Sequence, residues 1–311
     1  HAAAGGPAGD PLPFASGLER KTMRKKQFWV GYAFIAPNLL GVLLFFVIPA
    51  AVSAVLMFTD WQFASPVFHF VGFDNIKRLL HDEQFYTSLA NTALFLASVP
   101  VSIALAFLVA VVLNRSVYLK SLLRALYFLP YITNGVAVAF VWMLLFQPKL
   151  GPINGLLRSI GIENPPGWLT SPDSVMAAID IIWIWFMLGY NMIIYLAALQ
   201  EISPELLEAA KMDGARKRQV VFRIMLPLVS PTTFMLLVTG LIMSIKTFGI
   251  FEALTQGGPG SSSLILSLYV YKTAFRYYEI GYAAAVSWAL FAVILVITAI
   301  QWFGQKKWVH Y

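Results

Sequence analysis

Long apolar runs alternate with short polar stretches along this chain, and the runs set the first expectation. Six are continuous enough to cross a bilayer, which takes about 20 residues of helix: 28–58, 86–113, 125–146, 175–199, 224–245 and 280–304. None alternates apolar and polar positions with the period of two that a membrane strand needs, so the expected class is all-α. Pro37, Pro49, Pro100 and Pro130 fall inside the runs; membrane helices tolerate proline where neighbours satisfy the freed carbonyls. The first run is too long for a signal-peptide core and has no small-residue cleavage site after it, so it reads as the first span. Residues 1–27 read as a disordered, basic tail, because Ala, Gly and Pro without periodicity fill its first part. Residues 28–311 then form one membrane domain, with no internal repeat.

One polar segment between two runs is patterned like folded structure. Residues 208–231 read EAAKMDGARKRQVVFRIMLPLVSP. Just before them, Ser203-Pro204-Glu205 is a helix start, with a capping hydroxyl, a proline at the first helical position and an acid in the first turn. Leu206, Leu207, Ala209 and Ala210 mark an apolar face at helical spacing, and Gly214 sits where that helix should stop. A second short helix is expected over about 217–225, followed by Pro227. Two short helices around a glycine, with exposed apolar residues, form a docking element for a soluble partner. The competing reading is an amphipathic loop held on lipid headgroups by Arg216, Lys217, Arg218 and Arg223, but such a loop has no need for Gly214 and Pro227 at fixed offsets.

Composition and charge narrow the class. At 59% hydrophobic and 12% charged, with a mean hydropathy of +0.72, the chain is no ordinary soluble domain. Of its 22 Lys and Arg, 15 fall on the side of the tail, the 208–231 segment and the C-terminus if every run crosses. Positive charge stays in the cytoplasm, so both termini and that segment are expected there. The net charge of +7 therefore reflects topology and gives no argument for nucleic acid. Zero cysteines exclude disulfides and thiolate metal sites. His1, His69, His81 and His310 are scattered, which speaks against a metal cluster. The phosphate-binding pattern G-x-x-x-x-G-K-[ST] is absent: residues 257–263 have the glycines but no lysine. Nor does any span carry a carboxylate pair or nucleophile constellation. The chain is expected not to be an enzyme, and any nucleotide hydrolysis must come from another polypeptide.

Glu208-Ala209-Ala210, Asp213-Gly214-Ala215, Phe222, Ile224, Leu226-Pro227 and Pro231 together match the cytoplasmic loop motif of ABC-importer permease subunits. The chain resembles the carbohydrate-uptake branch most closely. Val71-Gly72-Phe73-Asp74-Asn75, Asn91-Thr92, the stretch GPINGLL at 151–157, Gly257-Gly258-Pro259, and Phe275, Gly281-Tyr282 and Ala284-Ala285 extend the resemblance over about 28–305. The end WFGQKK at 302–307 is similar to the maltose-type first subunit. The resemblance implies the type I ABC-importer permease fold, a polytopic membrane protein with six transmembrane helices and a cytoplasmic coupling helix within about 200–231, in the cytoplasmic (inner) membrane. It also implies a second permease, two copies of an ATP-binding subunit, an external solute-binding protein and a sugar substrate. ATP and Mg would sit on the ATP-binding subunits, with no cofactor in this chain. Glu208, Ala209, Ala210 and Gly214 would then belong to the coupling helix docked in a groove of the ATP-binding subunit. Glu208 would offer a carboxylate, and Leu207 and Ala210 would fill apolar space. Asp213 has two readings of equal weight, a local helix-end residue or a partner contact.

The substrate path rests on weaker patterns. Trp183, Met187, Tyr190 and Asn191 share one side of the fourth span by helical spacing, and Met243, Ser244 and Thr247 cluster on the fifth. The resemblance places Ser244 and Thr247 in the stretch that lines the sugar pocket. Aromatic faces with a few hydroxyls and amides suit sugars; packing or an interfacial belt explains Trp183 and Tyr190 equally well. Lys246 either snorkels outward or meets an acidic group on the substrate, with Glu252 within reach only if the chain unwinds near Gly249. Two other functions stay open. One is import of a non-sugar such as a glycerol-phosphate ester by the same architecture. The other is an ion-coupled secondary transporter, for which Asp180 is the one acid near a relay position.

Overall fold

The computed structural model of the chain describes residues 32–65, 67–114 and 118–307, and the chain divides after Val55 into two units. The expected tail of residues 1–27, the start of the first run at 28–31, Arg115, His1 and His310 lie outside the described residues.

In the first unit, α1 (Tyr32–Leu56) runs 25 residues at a mean hydropathy of 2.7 and ends one residue past the division. At 1.5 Å per residue it spans about 37 Å, more than a hydrocarbon core of about 30 Å. Pro49 has no N–H to give, and just before it the helix widens to a π-turn, Leu43–Val47, closed by Ile48 N–H on Leu43 O. No side chain of α1 is buried, and Phe34, Phe45 and Phe46 are largely exposed.

In the second unit, α7 (Val175–Gln200) is the axial helix. It packs against α3 (Glu83–Asn114) and α4 (Lys120–Ile132), and two apolar layers form along it. One joins Phe95, Trp183, Met187 and Phe251, with Phe95 edge-on to Phe251 at 4.8 Å. The other joins Phe107, Met192, Tyr195, Leu199 and Leu236, with Phe107 edge-on to Tyr195 at 5.4 Å. Both layers bury aromatic and branched side chains that would otherwise sit unpacked between helices; inside lipid, such packing rather than hydrophobicity holds helices together.

Of the six expected spans, α1, α3, α7 and α13 (Ile280–Gly304) are single helices, and two runs are bent pairs. The run expected as one helix over 125–146 is α4 followed by α5 (Gly135–Leu145), bent by 103°. Pro130 lies in the last turn of α4, and Asn134 restarts the chain by accepting Val136 N–H on Oδ1 at 2.9 Å. The run expected over 224–245 is corrected too. Residues 224–228 end α9 (Lys217–Leu228), and α10 (Ser230–Lys246) follows after a bend of 66°. Pro227 and Pro231 flank that bend, and a second π-turn, Val220–Met225, precedes Pro227.

Short helices and pinned loops close the ends. These are α2 (Asp74–Leu79), α6 (Pro152–Ser159), α8 (Pro204–Met212), α11 (Gly249–Leu254) and α12 (Leu266–Phe275). Asparagines inside the family-like motifs act as pins. Asn75 donates to Met57 O and Thr59 O, Asn91 to Ser261 O and Leu264 O, and Asn154 to Pro148 O and Pro166 O. Each amide thus satisfies two loop carbonyls that have no helical partner.

Candidate functional site: the coupling element and the ends of α10

The coupling element is built by its caps. Pro204 takes the first turn of α8, but the Ser203 hydroxyl does not make the expected backbone cap; it donates to the Glu205 carboxylate. That bond, helped by Glu205's own backbone N–H, holds its carboxyl below the usual range, leaving negative charge at the helix N-terminus where the dipole favours it. The other end closes in a paired pattern: Ala215 N–H bonds Ala210 O and Gly214 N–H bonds Lys211 O, both at 3.0 Å. Gly214 sits at φ +78°, with open space where a Cβ would go, so the backbone conformation and not crowding demands glycine. Gln219 Oε1 then accepts Arg216 N–H at 2.7 Å to start α9.

This geometry sorts the faces of α8. Leu207 and Lys211 turn toward α9 and the end of α3, lining a cavity of about 380 Å³ with Asn114, Val220, Val221 and Met225. Ala210 is half-buried on that side. Glu205, Glu208, Ala209 and Met212, at i, i+3, i+4 and i+7, are exposed. Leu207 therefore faces its own chain, and the apolar anchors offered outward are Leu206 and Met212, the latter 87% exposed. Sequence reasoning passed over Met212, although its spacing from Glu205 and Glu208 marks that face. Asp213 is exposed, and its carboxylate has no hydrogen bond among the described residues. Arg216, Arg218 and Arg223 surround the exposed Phe222, with the Arg218 guanidinium 6.0 Å from its ring.

Several residues expected on a substrate path make contacts within the chain. Trp183 donates to Ser244 Oγ at 2.8 Å, and both are buried. Met187 packs in the same layer. Asn191 is buried and donates to Ser102 Oγ at 3.1 Å. Tyr190 is half-buried and stacks on Tyr131 at 4.6 Å. Met243 and Lys246 are exposed, and Thr247 ends α10 in extended backbone with its carbonyl accepting from Ser267 Oγ at 2.5 Å. The chain does unwind before Gly249, yet Glu252 pairs with Arg276 and not with Lys246. Lys272 donates to Gln256 O at 2.6 Å; burial pulls its ammonium down, with Glu252 opposing and Arg276 adding to the shift.

A polar cluster that the sequence reading did not single out lies at the start of α3. Asp82 caps the helix by accepting Gln84 N–H at 2.9 Å and Phe85 N–H at 3.3 Å, and it also accepts the hydroxyls of Tyr269 and Tyr282. Burial raises its carboxyl, but the two hydroxyls and two backbone N–H groups outweigh burial and hold it below the usual range. Arg78 lies 3.9 Å from the Tyr282 ring centre and pairs with Glu279 at 2.7 Å. The signal was present: an aspartate at cap spacing before an apolar run.

Residues 99–307 match the sequence model of the family described as binding-protein-dependent transport system inner membrane component. The chain is similar to the sn-glycerol-3-phosphate transport system permease protein UgpA of Agrobacterium fabrum, 34% identical over 283 residues that cover 90% of this chain and 96% of that one. It is also similar to the lactose transport system permease protein LacF of Rhizobium radiobacter, 33% identical over 285 residues, 89% of this chain and 94% of that one. Among solved structures it resembles a chain of a bacterial alginate ABC transporter in complex with an alginate pentasaccharide-bound periplasmic protein. That likeness has a TM-score of 0.74 at 26% identity, over 91% of this chain and 96% of the other.

Proposed function

The chain belongs to the family of binding-protein-dependent transport system inner membrane components, and on that premise we propose that it is one half of the membrane channel of an ATP-driven sugar importer. The lactose permease relative and the alginate transporter support sugar as the cargo class. A second permease completes the channel, with this chain as the maltose-type first subunit. An external solute-binding protein delivers the cargo, and two copies of an ATP-binding subunit hold ATP and Mg. Both termini and α8 lie in the cytoplasm, following the excess of basic residues on that side. Proteolysis of a C-terminal tag from the outer face of sealed vesicles oriented as in the cell would overturn this orientation.

The observation that carries the reading is the α8 turn. A glycine at φ +78° closes a short helix whose exposed face offers Glu208 and Met212 beside a basic flank. Docked in a groove of the ATP-binding subunit, Glu208, Ala209, Met212 and Asp213 transmit closure of the ATPase dimer to α9 and α10, while Leu207, Ala210 and Gly214 keep the element rigid on its own chain. ATP biases the two permeases toward one rigid-body arrangement and loaded binding protein toward the same transition, which gives alternating access. In proteoliposomes, Gly214→Ala and Glu208→Lys should reach the membrane and assemble but lose uptake and the ATPase stimulation by loaded binding protein. Normal values of both in both variants would sink the reading.

The relative named for sn-glycerol-3-phosphate favours a second reading, a glycerol-phosphate ester as cargo. Competition of labelled uptake by sn-glycerol 3-phosphate against neutral and acidic sugars separates the two. An ion-driven transporter is disfavoured, because among the described residues Asp180 is the one carboxylate inside a long span, Glu83 being exposed at the very start of α3, and a relay needs more than one. Uptake that survives ATP depletion but is abolished by an ionophore would restore ion coupling as the energy source.

A further inference from the structure

Lys246, at the end of a span, forms no ion pair or hydrogen bond among the described residues. Glu252, the carboxylate nearest to it in sequence, is held by Arg276, and no other ion pair reaches Lys246 among the described residues. It lies about 24 Å along α10 from Ser230, at 1.5 Å per residue, at the end remote from the coupling element. On α10 it shares a stripe with Met235, Thr239 and Met243, opposite the buried Gly240 and Ser244. Met235, Met243 and Lys246 are exposed and Thr239 is half-buried. A lysine at a span end either snorkels to the membrane surface or faces a wet cavity of the bundle, and the groups beside Lys246 favour the second.

Next to Lys246 the chain leaves the helix, and an aromatic wall begins. Phe248 stacks on Tyr271 at 4.9 Å with 25° between the rings, and Tyr271 meets Phe275 at 5.5 Å. Phe248 and Phe275 are exposed. Aromatic faces suit the C–H faces of sugar rings, and an adjacent unpaired ammonium suits an anionic substituent on such a ring. The local charge has the same sign. From 246 to 276 the chain carries Lys246, Lys272 and Arg276 against Glu252 alone.

We propose that Lys246, beside the Phe248–Tyr271 stack, is a specificity-determining residue that selects saccharides bearing an anionic group, a carboxylate or a phosphate. The proposal rests on the sugar-importer reading above and adds the charge of the cargo. Lys246 meets the anionic group as the saccharide passes the break between α10 and α11, and the stacked rings hold the apolar face of the sugar.

Two measurements on the full importer with its partner subunits and binding protein test this. The chain contains no cysteine, so Met243→Cys places a single thiol on the same stripe with Lys246 intact. In the assembled importer that thiol should react with a water-soluble sulfonate thiosulfonate reagent several-fold faster than with its trimethylammonium counterpart, read by intact mass of this chain. Adding Lys246→Gln should abolish the preference. A thiol inert to both reagents, or a preference that survives Lys246→Gln, overturns the proposal whatever the cargo is. In the second measurement, uptake is compared for digalacturonate, maltose and sn-glycerol 3-phosphate. Digalacturonate uptake should fall about tenfold in Lys246→Gln, equivalent to about 1.4 kcal/mol, and recover in Lys246→Arg. Import of maltose alone, unchanged in Lys246→Gln, overturns this inference and leaves the sugar reading standing. Import of sn-glycerol 3-phosphate alone, dependent on Lys246, upholds the anion contact but overturns the saccharide class and the sugar reading together.

Discussion

The indole N–H of Trp183 donates to the hydroxyl oxygen of Ser244 at 2.8 Å in a buried contact between α7 and α10. Both side chains carry polar atoms that suit a sugar, yet here the indole N–H is spent on the serine oxygen. Their bond clasps two spans. Ser244→Ala leaves the indole N–H unpaired in an apolar layer and should destabilise the assembled importer by about 1 kcal/mol, in the range of interhelical hydrogen bonds in membranes. Thermal unfolding followed by tryptophan fluorescence should show a lower midpoint with the KM for cargo unchanged. An unchanged midpoint with a raised KM would instead make Ser244 a substrate contact.

At Gly189 the backbones of α4 and α7 approach closely. A Cβ built there falls 1.8 Å from the backbone oxygen of Tyr127, and a carbonyl in a helix cannot swing aside as a side chain does. Gly189→Ala must therefore push the helices apart, costing about 1–3 kcal/mol or more by the measure of overpacked cores. Gly304, with no heavy atom within 4 Å of its own Cβ position, is the matched control. Gly189→Ala should accumulate poorly in the membrane or melt early, while Gly304→Ala matches the parent protein. Equal expression and melting of both would show that α4 and α7 do not pack this closely.

The sequence made some of this legible and hid the rest for identifiable reasons. Spans with uninterrupted apolar composition, 175–199 and 280–304, fall within one residue of the observed helices, because lipid leaves the backbone no alternative to the helix. The two bent pairs were hidden because hydropathy sums over a break as readily as over a turn. Pro130 with Asn134, and Pro227 with Pro231, carried the break signals, but prolines in membrane runs are tolerated too often to force that reading. The α8 turn was readable since Gly214 has a backbone duty. For the path residues the sequence left both readings open, because whether an indole or an amide faces cargo or another helix depends on partners far away in sequence: Ser244 lies 61 residues from Trp183 and Ser102 lies 89 from Asn191. Asp82 was missed for the same reason, its two tyrosine partners being 187 and 200 residues distant.

Asp82 should give the protein a measurable sensitivity to acid. Its carboxyl is held below the usual carboxylate range in the folded chain, so folding favours the ionised form. A depressed carboxylate contributes stability that is fully present above its unfolded pKa and is lost as pH falls through the folded pKa. The contribution should be intact at neutral pH and disappear from about pH 4 downward, where an unfolded aspartate takes up its proton. Asp82→Asn can still cap α3 but carries no charge for the Tyr269 and Tyr282 hydroxyls. The unfolding midpoint of the parent should fall more steeply than that of Asp82→Asn between pH 5 and 3, roughly the interval around the reference carboxylate pKa. Parallel curves would mean that the two hydroxyls do not favour the ionised form.

Arg276 holds Glu252 in place, and the cost of losing it should depend on whether the glutamate keeps its charge. The Glu252 side chain is 21% exposed and that of Arg276 42%, and Glu252 Oε2 is buried with no hydrogen bond in the described residues. Arg276→Ala leaves a half-buried carboxylate with Lys272 as a cationic neighbour. Breaking a fully buried pair costs about 3–5 kcal/mol; partial exposure here reduces the expected loss to roughly 1–2 kcal/mol. Adding Glu252→Gln removes the stranded charge, so the double variant should be more stable than Arg276→Ala alone. The cycle is read from unfolding midpoints of the four proteins in one detergent at one salt concentration. Strict additivity of the two single changes would show that the pair is a surface contact with no hold on α11, and the charge near Lys246 would then have to be counted again.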